Sequence, residues 1–206
     1  MKKFILLLAF FISCFRFAFA EDIAQLLKKA GAGDVDAQAY LGVLYDKGLG
    51  VPQDYAQAAQ WYLKAANQNN TYAQFILGFL YDKGQGVPQD YAQAAQWYLR
   101  AANQNDEDAQ NKLGLLYEEG KSVTQSNIIA YALYNVSASV NTDAQQNDAI
   151  GNRDRMIETM TQDEINQGQK LSQNMIKQGV GRAIDVYEHS LKKARSAKGK
   201  KRSRHN

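Results

Sequence analysis

Gly50-Val51-Pro52-Gln53-Asp54-Tyr55-Ala56-Gln57-Ala58-Ala59-Gln60-Trp61-Tyr62-Leu63 returns unchanged, thirty-six residues later, as Gly86 to Leu99. Around this block, residues 35–70 and 71–106 align without a gap and agree at 28 of 36 positions. A third, degraded copy starts at Glu107 and keeps Ala109, Leu113, Gly114, Tyr117, Gly120, Ala130 and Tyr134. Half a copy precedes the first, with Leu27, Lys28, Ala30, Ala37 and Gln38 matching Leu63, Lys64, Ala66, Ala73 and Gln74. A unit that cannot bury its apolar face alone must stack on its neighbours, and about three copies are needed for a continuous core.

Each copy reads as two helices. Ala37, Leu41, Leu44 and Tyr45 fall at i, i+4, i+7 and i+8, one apolar stripe of a first helix. Gly48 ends it, because glycine takes the left-handed C-cap conformation without a Cβ penalty. After the Gly50-Val51-Pro52 turn, Asp54 caps a second helix, and Gln57 at N3 is placed to complete a capping box. That helix carries Tyr55, Ala58, Trp61, Tyr62 and Ala65 on one side, which marks Trp61 and Trp97 as core. Gly42 and the alanines stand where helix backbones must approach, so large aromatics face small residues.

The thirty-six-residue period, the Leu-Gly-x-Leu-Tyr-x-x-Gly run, the Asp-x-x-x-Ala pair and the Trp-Tyr-x-x-Ala-Ala run resemble the Sel-one-like repeat family, relatives of the tetratricopeptide repeat, in a bacterial exported type. The resemblance covers about residues 24–142. It implies an all-α fold, a short right-handed α-solenoid of helix-turn-helix repeats with a helical C-terminal cap. The stretch Asn152-Arg153-Asp154-Arg155 to Met160-Thr161, then Ile165 to Leu171, looks like the closing helices of bacterial members. The third copy departs from the pattern, with Ser122 for the second turn glycine, Leu133 for tryptophan and a last loop one residue shorter.

The expected organisation is a signal peptide at 1–20, a half copy at 21–34, repeats at 35–70, 71–106 and 107–142, capping helices at 143–191 and a basic tail at 192–206. Residues 1–20 have Lys2 and Lys3, an apolar run from Phe4 to Ser13 and Ala18-Phe19-Ala20 before Glu21, the pattern of a signal peptide cleaved after Ala20. Arg16 interrupts the run, leaving it short of a membrane span. A lipoprotein processed before Cys14 is the alternative. Either way the mature chain is expected in the periplasm or secreted, with no transmembrane segment after processing. Beyond these ends, Ala144 to Met160 reads as a helix. Thr161 with Glu164 forms a capping box before Ile165–Ile176, and a last helix is expected from Ala183 to about Lys193. The tail carries eight Lys or Arg and no acid, whereas residues 21–191 have 13 basic against 21 acidic side chains. Such a tail is expected to be mobile, a solubilising terminus or a contact to an anionic envelope surface. Nucleic acid is not expected, since no aromatic interleaves the tail to stack on bases.

Chemistry is thin. The 206 residues include one Cys and two His, His189 and His205, which excludes a disulfide framework and any multi-cysteine zinc site. No metal, cofactor or catalytic residue is assigned. Gly114 to Ser122 ends like a phosphate loop, but the glycine spacing is wrong and no strand precedes it. Ser190-Leu191-Lys192-Lys193 fits the penicillin-recognising Ser-x-x-Lys pattern without its companion motifs. The carboxylates Glu118-Glu119 and Asp106-Glu107-Asp108 stand at repeat ends, where solvation is the ordinary reading.

Five of the eight differences between the close copies fall in the first nine residues: Val35/Thr71, Asp36/Tyr72, Ala39/Phe75, Tyr40/Ile76 and Val43/Phe79. Positions 36, 39, 40 and 43 share one helical face, which is not the face carrying Leu41, Leu44 and Tyr45. The resemblance implies that first helices line a concave surface. Tyr72, Phe75, Ile76 and Phe79 would then form an apolar binding patch, flanked by Asp36 and Tyr40 on one side and by Asp108, Asn111 and Lys112 on the other. The alternative is that this face packs against neighbouring helices. The expected function is a non-enzymatic module binding a protein or peptide partner. A hydrolase or lactam-binding protein of the cell envelope is the second reading.

Overall fold

The computed structural model describes residues 22–140 and 148–202, so the expected signal peptide, Cys14 and the last residues of the tail lie outside what is described. The described residues are helical or in turns: α1 (22–31), α2 (Val35–Lys47), α3 (Tyr55–Asn67), α4 (Thr71–Lys83), α5 (Tyr91–Ala102), α6 (Glu107–Glu119), α7 (Asn127–Val140), α8 (Asp148–Ile157), α9 (Gln162–Gln178) and α10 (Val180–Arg202). They form two compact units, Met1–Asp90 and Tyr91–Asn206, and the division falls inside the second sequence copy.

In the first unit α2 packs on α3, and α3 on α4. The helix ends obey the sequence signals. Asp34 and Asn70 cap α2 and α4 by accepting from the N–H groups of Ala37 and Ala73. Asp54 caps α3 by accepting from Ala56 and Gln57, so its half of the expected box is formed. Gly48 and Gly84 close α2 and α4 in the left-handed conformation, at φ 68° and 67°. Gln53 and Gln89 then reach back, and their amides donate to the carbonyls of Asp46 and Asp82 at 2.7 Å. These bonds tie each turn to the end of the helix before it.

Gly42 lets α2 lie against α3. A Cβ there would stand 2.6 Å from the Tyr62 ring, whose side chain is fully buried. The expectation for tryptophan needs correction. Trp97 is buried, but Trp61 is half-buried; like the half copy's Ile23 and Leu26 it packs on the cluster of Ala30, Ala37, Leu41 and Leu44, with the Lys64 ammonium 3.8 Å above its ring. Arg100 lies 4.4 Å over Trp97 in the same way, so the single difference between the second helices keeps a cation on the indole.

In the second unit α5 packs on α6 and α6 on α7. Helix α7 has α6, α8 and α9 around it, which explains why Leu133, in place of tryptophan, is fully buried and why nearly every residue from Ile129 to Ala138 is covered. Gly168 of α9 lies so close to Tyr131 that a Cβ would strike the ring, and Asn135 donates to Ser172 at 2.9 Å. Helix α10 returns over α9 to α5, where its Gly181 N–H donates to Asn103. The Thr161–Glu164 capping box is formed as expected. Helix α8 is described from Asp148; residues 144–147 of the expected helix lie outside the described residues.

Two expectations for the chain's later parts change. Ser122, at φ 56°, adopts the same left-handed turn as Gly50 and Gly86 at 73° and 70°, so the third turn keeps its path despite lacking glycine. The last helix does not stop near Lys193 but continues to Arg202. Lys, Arg and Ala are good helix formers, and cations near a C-terminus oppose the negative end of the helix dipole.

One side-chain bond recurs at each entry to a first helix. Gln38, Gln74 and Gln110 are buried, and their amides donate to the carbonyls of Ala30, Ala66 and Ala102, eight residues earlier in each case. Replacing Gln74 with alanine removes its amide bonds to the Ala66 carbonyl and to Asn69 while the carbonyl keeps its bond from the Asn69 N–H, and urea unfolding should show a loss of about 0.5–1.5 kcal/mol. Conversely, Ser122→Gly relieves a left-handed serine and should raise stability by about 1 kcal/mol, read as an upward shift of the thermal midpoint.

Candidate functional site

The face carrying the copy-to-copy differences divides in two. Position 39 turns inward: Ala39 is buried, in keeping with the packing of α2 beside α4. Positions 36, 40 and 72 remain at the surface, Tyr40 at 56% and Tyr72 at 48% exposure, with Asp36 exposed beside them. Phe75, Ile76 and Phe79 are half-buried. The Tyr72 ring meets Tyr62 edge-on, centroids 6.2 Å apart, which fixes its orientation. The Lys83 ammonium lies 5.8 Å from the Phe79 ring centroid. Lys47 and Lys83, at the ends of α2 and α4, pair with Asp46 and Asp82 at 2.8 and 2.9 Å. The first unit therefore brings together six of the eight residues singled out from the sequence, as a row of aromatic and aliphatic groups edged by ion pairs.

Asn111 and Lys112 belong to the second unit. Lys112 is half-buried, but Asn111 is only 6% exposed, and its side-chain oxygen accepts from Asn152 of α8 at 3.0 Å. Helix α8 sits on α7 as α6 sits on α5, and its side chains reach across to α6. Asn111 is thus held by the chain's own cap.

The same cap engages Glu118. The Tyr134 hydroxyl donates to its carboxylate at 2.7 Å, and Arg155 of α8 binds both of its oxygens. Glu118 is therefore not the solvated carboxylate expected at a repeat end, although its neighbour Glu119 pairs with Lys121. The Arg155 guanidinium holds the Glu118 carboxyl below the usual range. Burial, then the Glu118 bond, pushes the Tyr134 phenol up. Asp106 is likewise structural, capping α6 through the Ala109 N–H, and burial raises its carboxyl.

The apparent catalytic motifs dissolve into packing. Gly114 lies inside α6, where a Cβ would stand 2.6 Å from the Tyr134 ring. The Ser190 hydroxyl donates to the Tyr187 carbonyl one turn back. Among the described residues no group of three His, Cys, Asp or Glu side chains could hold a metal ion, and no helix is long and apolar enough to cross a membrane. A cleft of about 590 Å³ opens in the second unit, with Ile128, Tyr187 and Leu191 against Glu164, Glu188 and Arg195. Its opposed charges single out no ligand.

The glutamines that bond across turns carry no apolar or capping pattern that marks them in a single copy. Comparing copies could have found them, because Gln38, Gln74 and Gln110, and Gln53, Gln89 and Gln125, each recur at one position in all three. Gln125 donates to the Glu118 carbonyl as Gln53 does to Asp46.

Stacked helix pairs with shared caps and turns define an all-α repeat solenoid. The Sel1 repeat family model matches residues 35–70, 71–106 and 107–139, and the chain belongs to that family. A solved Sel1 repeat protein from Oxalobacter formigenes is 32% identical, with a TM-score of 0.57, over 65% of this chain and 98% of that one. The protein c5321 of uropathogenic Escherichia coli, described as a protective antigen with an SLR fold, is 27% identical with a TM-score of 0.58; the match covers 81% of this chain but 43% of c5321. No curated protein matches the sequence. Solenoids of this family are commonly protein-interaction modules.

The Glu118 carboxyl is held low in the folded state, so its bonds stabilise above the ordinary carboxylate pKa and are lost as pH falls through the depressed value. Thermal midpoints followed from neutral pH into acid should therefore fall less steeply for Glu118→Gln than for the wild type, the two curves converging at the acid end.

Proposed function

We propose that this chain is a non-enzymatic, exported interaction module that binds a segment of a protein partner along the surface row of α2 and α4. The observation that carries this reading is the exposure of Tyr40 and Tyr72 beside Phe75, Ile76 and Phe79 on one unit. Large aromatics left half in water are costly unless covered, and they are the side chains that most often anchor an interface. Membership of a repeat family that commonly serves as interaction scaffolds supports it. Export rests on the sequence of residues 1–20, with cleavage after Ala20, and places the module in the periplasm or outside a bacterial cell.

The test is a crosslinking capture from envelope and culture fractions, comparing the wild type with a Tyr40→Ser/Tyr72→Ser variant whose fold is checked by circular dichroism. The folded variant should capture the partner at least roughly tenfold less well, as expected when interface anchors are truncated. Equal capture by a folded variant would remove this face from the interaction.

A further inference from the structure

Helix α10 has two halves of different character. From Val180 to Leu191 it is tied down: Val180, Ala183 and Ile184 are buried, and Tyr187 donates to Gln167 of α9 at 3.2 Å. Leu191 is the last large apolar residue of the chain, and Lys192 to Ser196 are all exposed. Yet the helix continues to Arg202. Seven cations and no acid fall between Lys192 and Arg202, with Arg204 following. At 100° per residue, positions 192, 193, 195, 198, 200, 201 and 202 surround the axis, so this half has no apolar face to insert anywhere.

Length decides what such an extension can do. Eleven residues at 1.5 Å rise make roughly 16 Å of helix beyond the last apolar anchor. That is about twice the Debye length of roughly 8 Å at physiological salt. The acids of the same helix's first half, Asp185 and Glu188, are thus screened from whatever the far end touches. A chain whose two charge blocks nearly cancel can still present a concentrated positive end.

We propose that this basic helical extension docks the protein on an anionic phospholipid bilayer, lying among headgroups without penetrating. The charge complementarity is to a surface rather than to one acidic site, because the cationic positions are spread around the helix axis rather than gathered on one side. The absence of any aromatic from 192–206 removes the stacking that single-stranded nucleic acid would use. The proposal is independent of the face on α2 and α4.

The experiment is co-sedimentation of the full chain with vesicles of three parts phosphatidylcholine to one of phosphatidylglycerol, beside vesicles of phosphatidylcholine alone. Binding to the anionic vesicles only, weakening steeply with added salt, is expected. Lys198→Glu/Lys200→Glu/Lys201→Glu should lose at least roughly tenfold in partitioning, while the matching Lys→Arg variant should bind as the wild type does. Equal binding to neutral vesicles, or full binding by the glutamate variant, would overturn the proposal. So would tighter retention by duplex DNA at equal phosphate concentration, which would assign the extension to nucleic acid.

Discussion

A buried primary amide governs this architecture. Gln38, Gln74 and Gln110 each sit inside apolar surroundings and donate to the last carbonyls of the preceding helix. Helix ends leave carbonyls without an intrahelical partner, and here those of Ala30, Ala66 and Ala102 each accept a backbone N–H of the turn, from Gly33, Asn69 and Asn105, as well as the glutamine amide. The glutamine adds its bond from the first turn of the next helix and so ties the two helices on either side of the turn. Asn69 and Asn105, left-handed at φ 69° and 66°, make the tight turn that brings the amide within reach.

Within each pair a second constraint applies, glycine against tyrosine. Gly42 with Tyr62 and Gly114 with Tyr134 place a bare backbone on an aromatic ring, so the helices approach more closely than two ordinary side chains would permit. What surrounds the tyrosine hydroxyl then differs. Glu118 is long enough to accept from Tyr134 and still bind Arg155, whereas the equivalent Asp46 is one methylene shorter and pairs with adjacent Lys47. Exchanging aspartate for glutamate at this position lets the third copy recruit a cap rather than close on itself.

Much of this was legible from the sequence because repeats supply their own comparison. The helix pairs, the Asp54 and Thr161 caps, the Gly48 stop and the Gly42 contact all follow from periodicity and local chemistry. Periodicity identifies faces but not neighbours, and the departures lie there. Trp61 shares a stripe with Tyr62 yet is half-buried, at the margin of the cluster of Ala30, Ala37, Leu41 and Leu44. Asn111 lies on the same stripe as Tyr40 yet is covered by a helix whose contacting residue is 41 positions away. Arg155 finds Glu118 across 37 residues, a pairing that no local pattern encodes. For the candidate site, the exposed aromatics were readable, and the division of their face between packing and solvent was not.

The glutamine ladder also has a terminus. In the first copy Gln68 donates to the side-chain oxygen of Gln38, so that amide is used on both sides. In the third, Val140 stands where Gln68 and Gln104 stand in the earlier copies, and the Gln110 side-chain oxygen is buried with no donor among the described residues. Burying an oxygen without a donor carries a desolvation cost that the Gln68 bond offsets in the first copy. One exchange of residue thus makes the same amide a firmer anchor in one copy than in another.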